Sequence, residues 1–147
     1  MALIVGIGNP TRSDDGAGLA AAQVIARARD DVELIEAQQL TPEIAERVAA
    51  HALVIFLDAS VQVDRVTASD VSPRAEAGGS HGGSPAQVLA LGEALYGARP
   101  TTSVLVEIPA RDLGFGERLS AETAAAVEEA AQLSLGILAA HDRADRA

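Results

Sequence analysis

The sequence predicts an α/β protein, a three-layer α/β/α sandwich built on a mostly parallel five-stranded sheet with one antiparallel strand. Three observations predict it. Short β-branched apolar runs alternate with segments of helical character along the chain, the pattern of a sheet covered on both faces by crossover helices. One run, "ALVIFLDA" at 52–59, is apolar almost throughout, as a central strand buried on both faces must be. One connector is too short for a crossover, so one strand has to turn back.

Each element follows from local chemistry. "ALIVGI", 2–7, is a continuous apolar run ended by Gly and Pro, and reads as a first buried strand. Ser13 is placed to cap the helix that follows, with Asp14 and Asp15 in or near its first turn, where carboxylates interact well with the helix dipole. Asp30 and Asp31 end that helix, and "VELIEA", 32–37, alternates as a second strand. Thr41-Pro42-Glu43 starts a helix that runs to about Ala50, with Pro at the first helical position. The third strand, 52–59, carries Asp58 near its C-terminal end.

"VQVDRVTASDV" begins only a few residues later. A parallel crossover needs about a dozen residues, so this fourth strand is expected to run antiparallel at a sheet edge. Residues 72–85, "SPRAEAGGSHGGSP", read as one long flexible loop in which four glycines flank His81. Ser84-Pro85 opens a helix, "TTSVLVEIPA" at 101–110 is the last strand, and 111–120 is a loop. Ser120 caps a long Ala-rich helix expected to end near His141, with a frayed tail over 141–147. The chain reads as a single domain, 1–147, without internal repeats.

Composition narrows the function. The chain has 21 acidic and 11 basic residues, a formal net charge of −10. That balance disfavours nucleic acid and anionic membranes as partners, and suits a cation or a partner with a basic face. There are no cysteines, so disulfides, thiolate nucleophiles and Cys-ligated metals are excluded. No basic signal start and no apolar run of about 20 residues is present, so a cytoplasmic protein is expected. Its size and charge permit a monomer.

In open sheets of this type, sites form outside the carboxyl ends of the strands. There the sequence places the Asp14/Asp15 turn, Asp58 and the loop of His81. Two carboxylates and an imidazole converging from three segments suit a divalent metal, bound in the deprotonated state and weakened by acid. Simpler readings stay open. Asp15 can be only a first-turn carboxylate, Asp58 a turn cap and His81 a solvated loop residue. His51 is expected to meet carbonyls at a helix end, and His141 to be solvated. Other chemistries fit less well. "GIGNPTRSDDG" has neither GxGxxG spacing nor a P-loop Lys, and its acids would repel phosphate. No GxSxG elbow is present. Adjacent carboxylates on a helix point about 100° apart and are poorly placed to share a proton.

"GIGNPTRSDDGAG", "VIFLDA" and "GGSHGGSPAQVLAL", in this order and spacing, resemble the signature segments of the nickel–iron hydrogenase maturation endopeptidases. The likeness extends through "QQLTPEIAE" and "VLVEIPARDLGFGERLSAETAAAVEEA" and covers nearly the whole chain. Two departures, Arg12 in the turn and "VEIPARD" at the last strand, bear on partner choice rather than on chemistry. The resemblance implies an endopeptidase that trims a C-terminal extension from a hydrogenase large-subunit precursor once nickel is in place. It implies Asp15, Asp58 and His81 as metal ligands and catalytic residues, with Asp14 supporting them. The nickel is then supplied by the precursor, and the isolated protein holds either no metal or another divalent cation. Glu36 and Gln39 are expected near the site, where they help to select the substrate. Two other readings use the same scaffold: a metal-sensing or chaperone-like protein that binds without cutting, and a peptidase acting on an unrelated protein.

Overall fold

The computed structural model describes residues 1–75 and 83–146. Its strands are β1 (Ala2–Ile7), β2 (Val32–Ala37), β3 (Leu53–Ser60), β4 (Thr67–Asp70) and β5 (Thr102–Pro109). Its helices are α1 (Ala17–Ala28), α2 (Pro42–Ala49), α3 (Pro85–Tyr96) and α4 (Ala121–Asp145). The five strands form one sheet in the order β2-β1-β3-β5-β4. All neighbours pair in parallel except β4 with β5. The expected α/β/α sandwich is therefore present, and the antiparallel strand lies at the edge.

Strand β3 is central, and Leu53 through Leu57 are buried on both of its faces. One face packs Ile4, Ile55, Leu57, Val106 and Ile108 against α1 and α4 through Ala21, Ile25, Ala130 and Leu138. The other packs Leu3, Val5, Val54 and Phe56 against α2 and α3 through Ile44, Val48, Val88 and Leu89. Small residues let the helices approach closely. Gly18 in the first turn of α1 lies where an added Cβ would collide with the carbonyl oxygens of Ile7 and Leu57.

Two expectations about ends need correction. Ser13 does not cap α1. It starts a single 3-10 turn, Ser13–Gly16, with a φ of 52°, and its hydroxyl instead donates to the Gly114 carbonyl at 2.9 Å. The tail does not fray at 141. Helix α4 continues to Asp145, because Asp142 meets Arg29, at the end of α1, at 2.8 Å. Arg29 also pairs with Asp31 at 2.6 Å. Ser120 does cap α4, its hydroxyl accepting from the Thr123 N–H. No helix among the described residues is long and apolar enough to cross a membrane.

Candidate functional site

Between β1 and β3 the chain order reverses: β2 lies outside β1 on one side, and β5 and β4 lie beyond β3 on the other. Such a switch point opens a crevice at the carboxyl ends of the strands. The turn after β1 and the end of β3 both deliver an acid there. Asp15 and Asp58 line one cleft of ≈ 330 Å³, together with Gly8, Gln39, Leu40 and Gly83.

The glycine-rich turn is shaped by close approach rather than by phosphate. Gly8 has a φ of 151°, and a Cβ there would collide with the Asp15 carbonyl oxygen. The turn thus folds back on the residue it presents. Asp15 Oδ2 accepts from the Asn9 N–H at 2.8 Å, which orients the carboxylate.

Asp58 is mostly buried, and burial is the largest influence on its acidity. The negative charge of Asp15 adds to it, and that of Glu107 adds a little more, against a hydrogen bond from the Ala59 N–H. The carboxyl is pushed up to about 6. Glu107 is opposite Asp58 in the β3–β5 register. The sequence alone assigns it no part in the site. The cue for it was available only once β3 and β5 were known to be neighbours.

Asp14 has a different role from its neighbour. It is fully buried. Its Oδ2 accepts from the N–H groups of Arg111 at 2.7 Å and Asp112 at 2.9 Å, and from the Ser120 hydroxyl at 2.9 Å. Its Oδ1 accepts from the Ser120 N–H at 2.6 Å. Burial alone would raise its pKa, but these donors outweigh burial and lower it to about 2. Asp14 therefore clamps the 111–120 loop to the turn and leaves Asp15 as the acid that faces the cleft.

The remaining expected residues divide. Gln39 lines the cleft. Glu36 does not: it is exposed and accepts from the Gln23 amide at 2.9 Å. His51 contacts the Arg47 carbonyl at 2.6 Å, as a helix-end histidine should, and also lies 3.2 Å from Glu33. His141 is more covered than expected, its side chain 21% exposed and 3.5 Å from Asp145. His81 lies outside the described residues. Among the described residues, no three His, Asp or Glu side chains cluster closely enough to hold an ion by themselves.

No protein-family profile matches the chain, and no curated protein matches it in sequence. Solved structures do match. The hydrogenase maturating endopeptidase HybD from E. coli superposes with a TM-score of 0.75 at 19% identity, over 95% of this chain and 93% of that one. A nickel–iron hydrogenase maturation protease, HycI from Thermococcus kodakarensis, gives 0.67 at 27% identity, over 93% and 91%. A hydrogenase 2 maturation peptidase from a Thaumarchaeota archaeon gives 0.68 at 22% identity, over 93% and 97%. In fold, this chain resembles the nickel–iron hydrogenase maturation endopeptidases, the family that its sequence segments also resemble.

Proposed function

We propose that the chain is an endopeptidase that removes the C-terminal extension of a nickel–iron hydrogenase large-subunit precursor after nickel insertion. Asp15, Asp58 and His81 engage the nickel already bound in the precursor. One observation carries the reading: two carboxylates from separate elements line one cleft at the switch point, and the charge of Asp15 adds to the cost of ionising Asp58. A divalent cation relieves that repulsion and competes with the proton for Asp58.

The donor set fits nickel, which accepts carboxylate and imidazole. Asp15 is held by the Asn9 N–H and Asp58 by the Ala59 N–H, so both are oriented before a partner arrives. His81 enters as the third donor through the resemblance of "GGSHGGSPAQVLAL", in which it stands two residues before Gly83. Gly83 lines the same cleft, and its N–H donates to the Leu40 carbonyl at 3.1 Å. When bound, the metal can polarise a carbonyl or activate a water. The chain's own part is to orient the two acids and to present them on an open rim that a folded protein can approach.

The test is trimming of a nickel-loaded large-subunit precursor, read as product mass, by the native protein and by Asp15→Ala, Asp58→Ala and His81→Ala. A shorter product with the native protein and none with the three variants is the expected result. A stable complex with no shortened product would instead identify a binding protein. Unchanged trimming by all three variants would remove these residues from the reaction.

A further inference from the structure

We propose that Phe115 is the anchor by which the protein docks its macromolecular substrate, the metal-loaded precursor of the reading above, on which this inference rests. The chain has only two phenylalanines. Phe56 is fully buried, whereas Phe115 is 97% exposed. A single exposed apolar side chain is ordinary. The backbone that holds this one out is unusual.

Both neighbours of Phe115 are pinned. The Gly114 carbonyl accepts from the Ser13 hydroxyl at 2.9 Å, and the Gly114 N–H donates to Asp112 Oδ1 at 2.9 Å. The Gly116 N–H donates to the Thr11 carbonyl at 2.9 Å, and the Gly116 carbonyl accepts from the Ser13 N–H at 2.8 Å. Arg12 Nε donates to the Leu113 carbonyl at 3.2 Å. The buried Asp14 carboxylate then fixes both ends of the loop, at Arg111–Asp112 and at Ser120. Phe115 is thereby held pointing away from the core, with little backbone freedom left to lose on binding. Rigid aromatics of this kind are what protein interfaces use as anchors.

Position selects the occupant. The loop is bonded to Thr11, Arg12, Ser13 and Asp14, the residues immediately before Asp15. Chain dimensions therefore keep Phe115 within on the order of 15 Å of Asp15. A standard interface buries about 800 Å² per partner, a disc with a radius of about 16 Å. A footprint of that size centred on Asp15 reaches Phe115 as well. The surroundings add charge. Arg12, Arg111 and Arg118 are exposed on the same segments, interspersed with the exposed Asp112 and Glu117. The complementary surface is an apolar pocket next to the precursor's metal, rimmed by polar groups of both signs.

The experiment measures both affinity for the nickel-loaded precursor and steady-state trimming, for the native protein, Phe115→Ala, Phe115→Asp and Leu95→Asp. Leu95 is 61% exposed but lies in the last turn of α3, just before β5 and so at the amino-terminal end of the sheet, opposite the rim that Pro85 lines at the start of the same helix. Phe115→Asp is expected to raise Kd and KM at least about tenfold, with kcat and the unfolding midpoint near native, while Leu95→Asp changes neither constant. Equal Kd for Phe115→Asp and the native protein overturns the docking role, and so does an equal loss in Leu95→Asp. A native dimer that Phe115→Asp converts to a monomer also overturns it, by assigning the residue to self-association. If the native protein binds the precursor without trimming it, the processing reading fails, and the Kd comparison still decides the role of Phe115.

Discussion

Replacing Asp14 by Asn and, separately, Asp15 by Asn should have opposite consequences, although the two residues are adjacent. Asp14 is fully buried and accepts from three backbone N–H groups and one hydroxyl. Its pKa falls from an ordinary 3.8 to about 2, so the folded state favours the ionised form by about 2 kcal/mol. An Asn keeps one acceptor oxygen. If that oxygen stays with Arg111 and Asp112, the Ser120 N–H faces an amide that cannot accept, and an orphaned buried donor costs about 1–3 kcal/mol. The expected loss for Asp14→Asn at pH 7 is therefore about 3–5 kcal/mol, read by urea denaturation. The charge-dependent part has a defined pH window. The folded pKa is depressed, so this stability is complete above about pH 4 and fades as the pH falls towards 2, and the gap between native and variant should narrow in acid. Asp15 accepts one backbone N–H and faces the cleft, so Asp15→Asn should leave stability near native while abolishing trimming. Asp14→Asn within about 0.5 kcal/mol of native, or Asp15→Asn equally destabilised, would refute the division of roles.

Further outcomes follow from the same contacts. Asp58, pushed up to about 6 chiefly by burial and then by Asp15, binds its proton more tightly folded than unfolded. Stability of the metal-free protein should therefore fall as the pH rises from about 4 to 6, and Asp58→Asn should be more stable at pH 7 by about 2–3 kcal/mol. That gain should vanish near pH 4, and a variant no more stable than native at pH 7 would contradict it. Gly18→Ala places a methyl group against the Ile7 and Leu57 carbonyls. Overpacking of this kind costs about 1–3 kcal/mol or more, outweighing the roughly 1 kcal/mol that Ala gains over Gly in a helix, so the unfolding midpoint should drop. Ser120→Ala removes both the α4 cap and one donor to Asp14, and should cost about 1–2 kcal/mol in denaturation.

What could be read from the sequence was set by how local its cause is. The apolar run ending at Asp58 announces a central strand by composition alone, and the short connector after it forces β4 to turn back. Both features were legible for that reason, and with them the rim where Asp15 and Asp58 meet. Ser13 illustrates the opposite case. A serine before two acids carries the local signature of a helix cap, yet partners about a hundred residues away capture both Ser13 and Asp14. The burial of Asp14 and the outward hold on Phe115 arise from those same distant partners. Glu107 entered the site through strand order, and α4 outran its expected end because Arg29 reaches Asp142. None of these has a local cause.

The most direct measurement is product mass after incubating the native protein with one large-subunit precursor in two forms, nickel-loaded and nickel-free. Loss of the C-terminal extension from the loaded form alone is the predicted result. Equal trimming of both forms would contradict the claim that Asp15 and Asp58 engage the precursor's metal.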